Sequence, residues 1–497
     1  MKKYIYIIVT MLALTSCSKF LDVKPESQVD ADQLFSTEEG FKEALNGVYT
    51  YCASQALYGG NLTFGMLDIL GQNYEFSDSN LQISRSIANF DYSQTSTVNT
   101  IAQIWGSGYR GIANCNYILG AIDQHKALFT GNNYALIKGE ALTVRAYLHF
   151  DLLRMFAPSY KNGATLKGIP YVTEISTKSA PFSTVSVALN SIIADLTAAK
   201  ALLKTSDPIL STSYVVGYPA PADTKSTETT NSDLFLQNRR HRMNYYTVCG
   251  ELARAYLYKN DLVNALANAQ EVINSQKFPF TDSKDFLSTD VTLVDRIFYK
   301  ELISAWYIDN NDINNELIGL FTGDNPSLSA TVDQVNDIYE KAQAGSEDWR
   351  LRQWFLSRSP GNNSPNRAIL QKYIKNTSPS TNLHPLVAPA IRLSEMYYIA
   401  AEASFDTNPT QALAYFNTLR QKRGIGSYTV ANVTDRNTFI DLLLTDARKE
   451  FYGESQIFFM YKRLNHAVTI SVTQVQPPSN QIFVFPLPND ELAYRNN

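Results

Sequence analysis

The stretch from Ile137 to Ala157 constrains the chain most. Leu142, Ala146, Phe150, Leu153 and Ala157 recur at spacings of three and four, which places them on one helical face. Pro158 closes the pattern, because a proline forces its predecessor away from helical angles. Alanines alternate with the rings of Tyr147, Phe150 and Phe156. A neighbouring helix can approach at the small residues while the rings fill the space beside it. This is a helix built to be packed on both sides, and several later segments are written the same way.

Helical periodicity marks eight segments: 38–51, 101–123, 137–157, 185–203, 243–259, 262–274, 390–405 and 409–423. Ser36-Thr37-Glu38-Glu39 is a capping-box signal ahead of the first. Asn408 is an N-cap for the last, with Pro409 at its first position and Gly424 as its stop. Two hairpins share one spacing. Ala253, Tyr256, Ala265 and Ala269 are 3, 9 and 4 apart, and so are Ala400, Ala403, Ala412 and Phe416. That is tetratricopeptide grammar. The expected fold is mostly α, with about four tetratricopeptide-like helical pairs, large irregular insertions at 58–99, 205–240 and 278–389, and minor β. Unrelated helices that happen to pack are the alternative. Phe439 to Tyr452 reads as a last helix, and Gln474 to Leu487 as extended chain.

The N-terminus is an address rather than part of the fold. Lys2 and Lys3 precede an apolar run from Tyr4 to Leu14, so residues 1–16 read as a secretory signal peptide. Leu14-Thr15-Ser16-Cys17 resembles a bacterial lipobox, which implies Cys17 as the first mature residue with lipid on its sulfur. Several acyl chains anchor firmly, at about 0.8 kcal/mol per buried methylene. Residues 17–35 then form a lipidated tether, and 36–497 a single domain.

The net charge of −4 suggests no nucleic-acid partner, and no apolar run of about 18 residues suggests a membrane span. Cys52, Cys115 and Cys249 lie in helical patterns, where a cysteine acts as a small buried residue. The five histidines form no HExxH or Cys/His cluster, and there is no GxGxxG, Walker loop or GxSxG. No metal or cofactor is expected. Asp309, Asp312 and Glu316 lack the EF-hand glycine spacing. Glu395 and Glu402 sit among core residues and read as structural pairing partners. Arg239-Arg240-His241-Arg242 reads as a solvated loop end or an anion or partner contact.

Taken together, the pieces resemble the SusD/RagB family of outer-membrane nutrient-binding lipoproteins. They are Cys17 followed by Phe20-Leu-Asp-Val-Lys-Pro25, Trp105-Gly-Ser-Gly-Tyr109-Arg-Gly-Ile112 with Asn116, and Val144-Arg-Ala-Tyr147 with Phe150-Asp-Leu-Leu-Arg154. Gly168-Ile-Pro170, Ala253-Arg-Ala-Tyr-Leu257, Ile391-Arg-Leu-Ser-Glu395, Leu419-Arg-Gln-Lys-Arg423 and Arg448-Lys-Glu450-Phe-Tyr-Gly453-Glu454 follow in order. The resemblance implies a non-catalytic, lipid-anchored, cell-surface protein. Such a protein captures an oligosaccharide or polysaccharide, or in some branches a peptide, for a SusC-like TonB-dependent transporter. Other classes remain: an extracellular helical glycoside hydrolase, which needs two facing carboxylates, and a helical adaptor that binds only proteins.

Sugar binding asks for exposed flat rings flanked by polar side chains, since a sugar has an apolar face and a hydroxyl edge. Chain of 30 Tyr and 25 Phe can supply them. Two insertions have that composition: Asn73, Tyr74, Asp78, Arg85 and Tyr92 in one, Trp306, Tyr307 and Asn311 in the other. These eight are the expected ligand contacts, holding rings out from a helical scaffold over a shallow groove.

Overall fold

The structure, a computed structural model, describes residues 31–76, 81–219, 222–308, 315–324, 326–361, 364–374, 386–433 and 435–495. The signal peptide, Cys17 and most of the tether lie outside the described residues. The longer helices are α1 (Glu38–Cys52), α2 (Thr95–Ile122), α3 (Asn133–Phe156), α4 (Val185–Ser206), α5 (Tyr245–Tyr258) and α6 (Leu262–Ser275). After them come α7 (Val332–Ile338), α8 (Leu393–Ser404), α9 (Pro409–Gln421), α10 (Arg436–Glu450) and α11 (Gln456–Leu464).

The periodic stretch at 137–157 falls in α3, and every residue from Gly139 to Phe156 is buried. It lies between α2 on one side and α4 on the other. The contact with α2 is close because α2 offers glycines: a Cβ on Gly111 would come within 2.8 Å of Leu148 Cδ1. From α1 to α6 each helix touches the next, α6 continues onto α8, and α8 onto α9. The helical array is therefore continuous, and the four expected pairs are each in contact.

Most boundaries fall within a turn of expectation, and the departures have local causes. Helix α2 begins six residues early, because its first turn, Thr95-Ser-Thr-Val-Asn-Thr100, is polar and carries no apolar period. Asn244 caps α5 by accepting from the Tyr246 and Thr247 amides, which fixes its start at Tyr245. Asn408 accepts from the Gln411 amide with Pro409 at the first position, as expected. Helix α8 starts at Leu393, not residue 390, because Val387–Arg392 is a strand. Phe439–Tyr452 is not the last helix: α10 ends at Glu450, Gly453 turns the chain at φ +77, and α11 follows. Within 474–487 the chain is extended only in part, with a short helix at Asn480–Phe483. Helix α4 is also long and apolar enough, by length and composition alone, to cross a membrane, contrary to the expectation from apolar runs. Val185, Ala188, Leu189, Ile192, Leu196, Ala199 and Leu203 form a buried stripe on it, and the helix packs on α3.

The insertions are more ordered than their composition suggests. Strand β3 (Leu302–Tyr307) pairs antiparallel with β7 (Val387–Arg392) and so closes the neck of the third insertion. A second sheet of order β4 (Ala330–Thr331), β6 (Arg367–Leu370), β5 (Phe355–Arg358) lies inside it. Two further hairpins pair β1 (Lys167–Pro170) with β2 (Phe182–Thr184), and β8 (Val468–Thr469) with β9 (Val475–Gln476).

Buried ion pairs fasten insertions to helices. Arg239 and Arg240 are not at a solvated loop end. Arg239 pairs with Asp207 at 2.9 Å and Glu140 at 2.7 Å, and Arg240 with Glu228 at 2.5 Å. At the end of α10, Glu450 receives Arg350, Arg392 and Arg423 at 2.8, 2.6 and 2.8 Å. Glu395 and Glu402 instead tie helix to helix, joining α8 to α5 through Arg254 at 2.7 Å and to α11 through Arg463 at 2.6 Å.

Candidate functional site

Successive strand residues face opposite sides, and on β3 this separates two residues that the sequence groups together. Trp306 turns inward and is 1% exposed, stacked on Tyr58 at 4.5 Å and edge-on to Tyr147 at 5.7 Å. Tyr307 turns outward, is 44% exposed, and stacks on His241 at 5.3 Å. The expectation of outward rings therefore fails for Trp306. It fails equally for Tyr92, whose hydroxyl donates to the Ile482 carbonyl at 2.6 Å and whose ring meets Phe485 edge-on. Tyr74 is 6% exposed and donates to Asp68 Oδ2 at 2.5 Å. Burial pushes the Asp68 carboxyl up to about 7, against its hydrogen bonds from Tyr74 and the Ser455 amide. Each ring is held by contacts that repay its hiding, with a polar tip satisfied for the tyrosines. Asn73 is buried too, accepting from Arg448 Nε at 2.8 Å. Arg85 donates to the Phe76 carbonyl at 2.9 Å. Asp78 and Asn311 lie outside the described residues.

What the structure opens instead is a cleft of ≈ 750 Å³ beside Tyr74. That volume falls in the range of small-molecule sites. One wall is the segment Gln72–Glu75, brought there by the turn after the short helix Met66–Ile69. A second is α7 with its cap, where Thr331 accepts from the Gln334 amide and the chain turns at Glu340 with φ +53. Helix α10 supplies Asp441, Leu444, Thr445 and Arg448, which share one face by their spacing. Tyr461, His466 and the β8–β9 hairpin complete the border.

Acidic side chains border the cleft, although apolar atoms make up most of its surface. Glu75 pairs with Arg367 at 3.0 Å, and Glu340 with Lys449, both cations approaching from behind the wall. Asp441 Oδ1 lies 2.9 Å from His466 Nε2. Asp333 and Asp337, four apart on α7, are exposed and have no ion-pair partner among the described residues. Leu444, Ile338, Ile470 and Val472 give the cleft an apolar fraction. Among the described residues no cluster of His, Cys, Asp and Glu is arranged to hold a metal ion.

Of the six expected residues that are described, Tyr74 alone borders this cleft, and Tyr307 stands exposed outside its lining. The rest of the cleft escaped the sequence reading. The aspartates at 333 and 337 did carry a signal, a four-residue spacing on a short amphipathic turn. Their meeting with α10 over a hundred residues later carried none.

Residues 221–488 match a family described as the SusD family, and residues 19–213 match one described as "Starch-binding associating with outer membrane". The chain is 22% identical to SusD-like protein P2 of Formosa agariphila over 552 positions, covering 100% of this chain and 98% of the relative. Its fold is similar to a SusD superfamily protein from Bacteroides thetaiotaomicron, with a TM-score of 0.71, 20% identity, and coverage of 92% of this chain and 98% of the other. A SusD-like carbohydrate binding protein from Bacteroides vulgatus is similar at a TM-score of 0.69 and 19% identity, covering 93% and 97%.

Proposed function

The chain belongs to the SusD/RagB family, and we propose that it is a lipoprotein of the outer-membrane surface that captures an oligosaccharide for a partner TonB-dependent transporter. The observation that carries the reading is the open cleft of ≈ 750 Å³. It joins hydrogen-bonding side chains to a strip of aliphatic surface. Carboxylates accept hydrogen bonds with both oxygens, which suits the adjacent hydroxyls of a sugar, while the aliphatic strip suits its C–H face. The description of the similar B. vulgatus protein as carbohydrate binding supports a saccharide as cargo. Tyr307 is proposed as an accessory sugar platform outside the cleft.

Capture rather than hydrolysis is the proposed activity. A glycosidase general acid sits in an apolar pocket that lets it hold its proton. The carboxylates bordering this cleft are solvated or ion-paired.

The test is a glycan array probed with the mature protein, followed by calorimetry on its hits. Thr445→Trp, which fills the cleft from α10, is expected to lower affinity at least tenfold without unfolding. Full affinity in a folded Thr445→Trp variant would reject the cleft as the site. An array with no hits would reject saccharide capture.

A further inference from the structure

The charge at the cleft is mostly negative: Glu75, Asp333, Asp337, Glu340 and Asp441 border it, against the guanidinium of Arg448 and the imidazole of His466. Asp333 lies in the first turn of α7, where a carboxylate complements the helix dipole. Asp337 lies in the last turn, where the same charge opposes it. Neither has an ion-pair partner among the described residues, although Glu75 and Glu340 on the adjoining walls receive theirs from Arg367 and Lys449. Among the described residues no cation pairs with Asp337, and Arg448, the guanidinium on the lining, is held by Asn73 and the Gln72 carbonyl.

Two donors at the cleft are also uncommitted. Tyr461 is 2% exposed and borders the cleft, yet its hydroxyl has no hydrogen-bond partner among the described residues. Arg448, 7% exposed, spends Nε on Asn73 and Nη2 on the Gln72 carbonyl at 2.5 Å, and leaves Nη1 without a partner among them. Neither tip is walled off: with the rest of each side chain buried, the hydroxyl and Nη1 reach the open space of the cleft and no acceptor among the described residues. The cleft thus offers seated donors for ligand oxygens and an unneutralised pair of carboxylates on α7.

We propose that this cleft selects saccharides bearing free amino groups, with Asp333 and Asp337 receiving the ammonium and Tyr461 and Arg448 donating to hydroxyl or carbonyl oxygens. The proposal rests on the saccharide-capture reading and narrows it. Uronate- and sulfate-bearing saccharides meet the same aspartates as like charges, which outnumber the Arg448 guanidinium, and bind more weakly. One ion contact at near-solvent dielectric gives about a fivefold preference, and the preference shrinks as salt screens it.

The experiment measures, by calorimetry at low and high salt, glucosamine oligomers, neutral glucose oligomers and sulfated oligomers of matched length, with a lysine-containing peptide in parallel. The expected order is glucosamine, then glucose, then sulfated. Asp333→Asn/Asp337→Asn is expected to bring the glucosamine-to-glucose ratio near one, and Tyr461→Phe to weaken glucosamine and glucose oligomers by a similar factor. A ratio that survives in the folded double variant, or sulfated oligomers that bind as tightly as glucosamine ones, would overturn the amine preference and leave saccharide capture standing. Binding of the peptide with no saccharide bound at all would overturn both.

Discussion

Glu450 gives the sharpest test of how this protein holds its cleft. It ends α10, the helix that carries Asp441, Leu444, Thr445 and Arg448 to the cleft. Its carboxylate is fully buried among Arg350, Arg392 and Arg423. The network extends through Glu301, Asp348, Asp446 and Glu454 on one side and Arg420 and Lys372 on the other. Five carboxylates thus face five cations. Burial pushes the Glu450 carboxyl upward, but the three guanidiniums outweigh it and hold the group well below its ordinary 4.5. Glu450→Gln keeps the shape and removes the charge, leaving five buried cations against four carboxylates. Breaking a buried pair in this way costs about 3–5 kcal/mol. The measurement is guanidinium denaturation, with Asp123→Asn as the control. That change breaks an exposed pair with Lys138 and costs less than about 1 kcal/mol. Because the folded pKa is depressed, the stabilisation is complete above the unfolded value of 4.5 and is lost as pH falls through the folded value. The variant therefore loses most relative to wild type at neutral pH, and the gap narrows in acid. A loss below about 1 kcal/mol at pH 7, or a gap that stays constant in acid, would refute the argument that this charge is needed where it lies.

Trp306→Ala is expected to cost about 3–5 kcal/mol, since it empties a stacked core position, whereas Tyr307→Ala next to it stays within about 1 kcal/mol; denaturant melts of both variants check the strand's inside-outside assignment. Cys17→Ser is expected to abolish acyl labelling and move the protein from the membrane to the soluble fraction, and retention in the membrane fraction would remove the lipid anchor from the proposed function.

The helices were legible because their information is local. The apolar period of 185–203, the Asn408–Pro409 start and the Gly424 stop need no distant residue to be read. Legibility failed where the deciding contact is remote. The residues 390–392 look like helix until β3, over eighty positions upstream, pairs with them as strand. Arg239 and Arg240 look like a solvated basic run until Asp207, Glu140 and Glu228 surround them. The site suffered the same way. Composition identifies Tyr74, Tyr92 and Trp306 as rings suited to a sugar, but a ring suits a core equally well, and here Asp68, the Ile482 carbonyl and Tyr58 claim them.

The sequence by itself determined that helices would form, that Asn408 would cap α9, and that α3 would be packed from both sides. Those properties follow from spacing along one chain and from the dihedral limits of Pro and Gly. Only the tertiary structure decided which rings face water and which carboxylates share a cleft. A side chain's exposure depends on what folds over it, and the covering segments here come from positions hundreds of residues away.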